Sequence, residues 1–150
     1  MHRTRTAAVG IGAVAAAAAA TLYLMPSATA ANATTLRLTN HLDTLQPVDV
    51  APAGPSAGDS FYVGSHIVSG AQGRIGAACT VVTASQGGIK QCEVDFLLAG
   101  GTVTTRGLTD NIGTLVHLIV TGGTGRYAHA RGSGTLVPTP TGSEVVLHVH

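Results

Sequence analysis

Tryptophan is absent from these 150 residues, and there are only two Phe and three Tyr. That is too few rings for a base-stacking platform or an aromatic sugar-binding face. Charge is also scarce, at 10% of residues. Eight Lys and Arg residues face seven Asp and Glu, and Arg3 and Arg5 belong to an N-terminal segment read below as removable. The remaining six basic residues form no excess over the acidic ones, which argues against a nucleic-acid partner. Beyond residue 30 no stretch of useful length has a 3.6-residue apolar period, so no long helix is expected there. No later run is long and apolar enough to cross a bilayer.

Residues 1–30 read as a secretory signal peptide. Arg3 and Arg5 form a basic start, an alanine-rich apolar run follows to about Met25, and "PSATA" ends in the small-x-small pattern Ala28-Thr29-Ala30. Pro26 and small polar residues follow the apolar run where a membrane anchor would place a basic stop-transfer cluster. The expected product is therefore secreted and extracellular, with no stable membrane span after cleavage. The mature chain, from about Ala31, has the size of one domain.

Cys79 and Cys92 would then enter an oxidising compartment, where an even count suggests a disulfide. "TASQGG" lies midway between them and reads as a hairpin turn. If Thr83 faces Gly88, the same register sets Cys79 opposite Cys92. The alternative is two buried thiols on one apolar face. A catalytic thiolate would need a basic neighbour, and neither cysteine has one close in sequence.

Residues 31–57 contain one short strand candidate, "TTLRLT", and then "QPVDVAPAGPSAG" with its three prolines, read together as an N-terminal arm. From 58 to 150 the pattern is all-β. Strands are expected near 59–69, 73–83, 88–98, 101–108, 114–121, 130–138 and 143–150, where runs of Val, Ile and Thr alternate with glycine turns. Eight strands in a chain of this size suggest an eight-stranded antiparallel β-barrel, whose closure removes exposed edges; a sandwich is the alternative. Strand parity puts Cys92, Val94, Phe96 and Leu98 on one face, and Gln91, Glu93 and Asp95 on the other. The first face is buried. The second is either solvent-exposed or a polar lumen, and parity alone leaves both open.

"HLIVTGGTGRYAHARG" at 117–132 raises the question of a nucleotide site. A dinucleotide fingerprint needs a helix after its glycine turn, and here "RGSGTLVPTPTG" follows, rich in glycine, proline and β-formers. A P-loop needs Lys-Ser or Lys-Thr after the glycines, and there is none. Gly122, Gly123 and Gly125 are better read as a tight structural turn between two strands, using positive φ values.

The segment "VTGGTGRYAHARGSG" is similar to the GGTG-x-F-x-x-ARG stretch of dirigent proteins and to the corresponding segment of allene oxide cyclases. "GD" at Gly58-Asp59, "SGAQGR" at 69–74 and "DFLLAGGTVTTRG" at 95–107 resemble other parts of that superfamily, in the right order. The resemblance covers about residues 58–138. It implies an eight-stranded barrel, usually trimeric, hence a homotrimer. It also implies a small apolar molecule as partner, and a cyclase or isomerase, or a stereochemical guide, that works without a cofactor. The chain departs from its relatives at Tyr127, where Phe is usual, and at Arg126, where some dirigent proteins carry an acid.

Within that frame Arg131, the arginine of the ARG segment, is the first candidate for catalysis, orienting a carbonyl or carboxylate. Its alternative is a structural ion pair. Asp59 and Asp95 are the candidate acids or bases. The alternative for Asp59 is a turn acid at the strand entrance, and for Asp95 a solvated side chain. Arg106, His117 and Tyr127 are candidate substrate-binding residues. No metal site is expected: His148 and His150 share one strand face, but at the chain end, and only His66 or His129 brought near by folding would complete a ligand set. The poor inventory of catalytic groups keeps a second function open, a non-catalytic secreted binding or surface-interaction module.

Overall fold

The computed structural model of the protein describes residues 33–85, 87–110 and 115–150. The signal segment expected at 1–30 lies outside the described residues. Eight strands follow one another: β1 (Thr34–Val48), β2 (Ser60–Ser69), β3 (Gly73–Val81), β4 (Ile89–Leu98), β5 (Gly101–Asp110), β6 (Val116–Gly123), β7 (Gly132–Thr139) and β8 (Gly142–Val149). Each pairs antiparallel with the next, and β8 returns to β1, so the sheet closes into a barrel. The only helical piece among the described residues is a 3₁₀ turn, Gly125–Tyr127, between β6 and β7. No helix among the described residues is long and apolar enough to cross a membrane.

β1 runs well past "TTLRLT", to Val48. Its first half pairs with β8, from Thr34↔Val149 to His41↔Gly142, and its second half with β2, up to Val48↔Ser60. Thus residues 34–48, most of the stretch read as an arm, form one stave of the barrel. Past His41 the strand no longer pairs with β8, so Pro47, which has no N–H to offer, costs the sheet no ladder bond on that side. A bulge interrupts the β1–β2 ladder: Leu42 pairs with Ser65 and Thr44 with Gly64, which leaves Asp43 as the extra residue. The bulge resets the parity, so that Leu42 and Leu45, three residues apart, both face the lumen.

Strict alternation along β4 fills the interior. Cys92, Val94, Phe96 and Leu98 are buried, while Gln91, Glu93, Asp95 and Leu97 are exposed, so the carboxylate face is the outer one. Cys79 and Cys92 occupy paired positions of β3 and β4 and are joined by a disulfide. At one end of the barrel Phe96, Val103, Leu118, Val120, Val145 and Leu147 are almost completely buried. The Thr105 hydroxyl among them donates to the Val94 carbonyl at 3.0 Å, which removes the penalty of burying it. Tyr127 and Ala130, from the segment between β6 and β7, cover this end.

The glycine-rich segment bends the sheet. Gly122 and Gly123 still belong to β6, where a bulge in the β5–β6 ladder makes Thr121 the extra residue against Thr104 and Thr105. Only Gly125 of the three has a positive φ, +58°, so the expectation of left-handed backbone holds there and not at Gly122 or Gly123. Gly123 is needed for a different reason: a Cβ on it would stand 2.2 Å from the carbonyl oxygen of Thr102. Four residues, 128–131, separate the 3₁₀ turn from the start of β7 at Gly132, with no long helix between them of the kind that receives a pyrophosphate.

Candidate ligand-binding site

An eight-stranded barrel has room either to be filled by its own side chains or to hold one small ligand. Here the two halves of the lumen divide these roles. The half near the 3₁₀ turn is filled. The other half contains a cavity of about 260 Å³ that opens between the β1–β2, β3–β4 and β7–β8 connections. An apolar cavity of roughly 150 Å³ already suffices to hold benzene.

The wall is mostly apolar, with Phe61, Val63, Ile75, Ala77, Val94 and Leu136 among its residues. The Cys79–Cys92 bond is part of the same wall. Polar groups are few and fixed. Asn40 and Ser143, both buried, lie 103 residues apart in sequence, and the Asn40 amide donates to the Ser143 hydroxyl at 2.6 Å. Ser65 is buried nearby on β2. Among the described residues Lys90 is the only charged one lining the cavity, and its ammonium lies 5.4 Å from the centre of the Phe61 ring. A ligand here would meet a mostly apolar surface, the Asn40–Ser143 pair, the hydroxyl-bearing Ser65, Thr109 and Thr139, and one cation. Such a combination orients a molecule through a few directed contacts while dispersion and burial supply most of the affinity.

None of the residues singled out in the sequence for catalysis or substrate binding lines this cavity. Arg131 is exposed just before β7, and its guanidinium donates to the carbonyls of Thr121 (3.0 Å) and Ala130 (2.7 Å). It ties the end of β6 to the start of β7. Asp59 sits in the β1–β2 connection. Its carboxylate accepts from the amides of Val50 (3.0 Å) and Ser56 (2.8 Å) and from the Ser56 hydroxyl (3.0 Å). These bonds, that from Val50 first, hold its pKa below the ordinary 3.8. Asp95 is exposed on the outer face of β4. Arg106, also outward, pairs with Glu93 at 3.3 Å. His117 is exposed on β6. Tyr127 is buried at the closed end, with the Arg126 guanidinium over its ring at 4.7 Å and hydrogen-bonded to its hydroxyl. The structure therefore disperses these residues over the outer wall, a loop and the closed end.

Asn40, Ser143 and Lys90 were not singled out in the sequence, yet each carries a signal there. Asn40 continues the lumenal parity of Leu36 and Leu38. Ser143 precedes Val145, Leu147 and Val149 on the same parity, and Lys90 precedes Cys92 and Val94. A polar residue at an apolar parity position is the mark of a polar group inside a barrel.

No protein-family model matches the sequence, and neither does any curated protein. Solved structures do. A pyocyanin demethylase is similar with a TM-score of 0.71 and 26% identity, over 78% of this chain and 100% of that one. The Diels Alderase AbmU from Streptomyces koyangensis gives 0.62 and 19%, over 79% of this chain and 63% of that one. AbnU, an exo-specific intermolecular Diels-Alderase, gives 0.62 and 15%, over 79% and 98%. This chain thus spans under two thirds of AbmU, and with both Diels-Alderases it shares the barrel fold.

Proposed function

We propose that this protein is a secreted barrel that takes a small, largely apolar molecule into its lumen and guides a cyclisation or rearrangement of it without a cofactor. The half-filled lumen carries this reading: an apolar cavity, open at one end, with Asn40, Ser143 and Lys90 set in its wall. Cyclisations of the cycloaddition type move electrons within the reacting molecules and require no proton shuttle. For them a shaped, dry site that holds the reacting atoms together is itself the catalyst. The Asn40 amide and the Lys90 ammonium would orient a carbonyl or a negatively charged group while the apolar wall folds the rest of the molecule. The names of the similar barrels, two Diels-Alderases and a demethylase, support a small-molecule reaction over a purely structural role. Membership of the allene oxide cyclase and dirigent superfamily fits the same barrel, and so does a homotrimer, which would cover the exposed Leu108 and Ile119. The leader-like residues 1–30 and the disulfide support export.

A second reading, binding without turnover, is favoured by one observation. Lys90 is the only titratable side chain in the cavity wall, so an acid–base pair for isomerisation is missing there among the described residues. One experiment separates the two readings. Protein 31–150, made under oxidising conditions, is exposed to culture extract of the producing organism and examined by native mass spectrometry. A retained molecule that leaves with changed structure supports a cyclase or isomerase. One that leaves unchanged supports the binding module. An empty barrel across repeated extracts overturns both.

A further inference from the structure

On the outer wall, behind the cavity, His41, Asp43 and His66 come together. One ligating atom from each lies within 4.8 Å of the others. We propose that these three residues form a site for one divalent transition ion of the zinc class, distinct from the lumen.

The site is a product of the β1 bulge. His41 and His66 are cross-strand partners, and alternation sends both outward while Asn40, Leu42 and Ser65 beside them line the cavity. Asp43 is the inserted residue. Its carboxylate meets the Nδ1 of His66 at 2.6 Å. The neighbouring outward position on β2 is Gly64, whose cross-strand partner Thr44 places its hydroxyl 2.7 Å from where a Cβ would stand. A simple His–Asp pair accounts for His66 and Asp43 only. It leaves out His41, whose ring centre lies 5.4 Å from that of His66.

Two imidazoles and one carboxylate suit zinc, nickel and copper more than calcium or magnesium, which want oxygen alone. A tetrahedral zinc ion holds nitrogen and oxygen ligands at about 2.0–2.2 Å, so that they stand about 3.4 Å from one another. His66 and Asp43 must separate slightly and His41 must approach, movements of about 1 Å. All three side chains are exposed and free to make them. Three protein donors leave a coordination position for water or an outside ligand. One neighbour opposes the cation: Arg74 is the cross-strand partner of His66 on β3.

The test is titration of untagged, chelator-stripped protein with Zn²⁺ by calorimetry, and with Co²⁺ by visible absorption. One ion per chain is expected. Asp43→Asn and His66→Ala should each remove saturable 1:1 binding while far-ultraviolet circular dichroism stays unchanged. His148→Ala should leave it intact, and Arg74→Ala should tighten it. In the unmodified protein, zinc-induced changes in amide resonances should be confined to the surroundings of residues 41–43 and 66, a readout that needs no variant to fold. Absence of saturable binding overturns the proposal. So does equal binding by the Asp43→Asn/His66→Ala double variant, which would place the ion at histidines elsewhere.

Discussion

Cys79 and Cys92 face one another across β3 and β4, and the bond between them forms part of the cavity wall. It thus acts on the stability of the hairpin and on the shape of the lumen together.

Reduction should lower the thermal unfolding midpoint. The bond closes a loop with a sequence separation of 13, and the chain-entropy argument assigns about 3 kcal/mol to a loop of that size. Melting curves with and without a reductant test this. Equal midpoints, with both thiols shown to be free by alkylation, would refute it.

Filling the cavity should cost binding and not the fold. Ala77 lines the open half of the lumen, where a larger side chain has space to occupy. Ala77→Phe should abolish retention of an apolar fluorescent dye, with the unfolding midpoint unchanged or raised. Undiminished dye binding by a folded variant would locate the dye outside the barrel.

The Asn40–Ser143 hydrogen bond should behave as a coupled pair. Removing either partner leaves a buried polar group unsatisfied, at a cost of about 1–3 kcal/mol. Asn40→Ala and Ser143→Ala should each destabilise by that order, and the double variant by less than their sum. Urea unfolding of all four proteins measures the coupling. Strict additivity would mean that the bond does not contribute.

Asp59 should stabilise the β1–β2 connection in a pH-dependent way. Folding lowers its pKa through the amide of Val50 first and that of Ser56 next, with burial working in the opposite direction. A group whose folded value is depressed stabilises above its unfolded value and loses that contribution as the pH falls through the folded one. The advantage of the native protein over Asp59→Asn should be full at neutral pH, begin to fade near 3.8 and vanish below the folded value. Urea midpoints across this range decide the matter, since a constant difference would assign the effect to shape alone.

The strands were legible because their signals are local. Alternation from Cys92 to Leu98, a turn at "TASQGG" and the glycine spacing gave the β4 faces and the pairing of Cys79 with Cys92. The length of β1 was not legible, because its second half is largely exposed, bulged at Asp43 and carries Pro47. The cavity was hidden for a related reason. Parity separates inside from outside, but it does not say which end of a lumen is filled. Asn40 and Ser143, 103 residues apart, meet only when the last strand, β8, closes on the first, β1. The resemblance around Arg131 directed attention to a segment whose arginine binds backbone carbonyls at the end of β6.

The filled end has a kinetic consequence. With Phe96, Val103 and Tyr127 packed behind it, the cavity is, among the described residues, closed at that end and entered from the other. Whatever enters must leave the way it came, so two reactants would queue: the first in sits deepest and departs last. A product too rigid to back out past Leu45, Pro138 and Pro140 would act as its own stopper, and the pace of the protein would then be set at its rim.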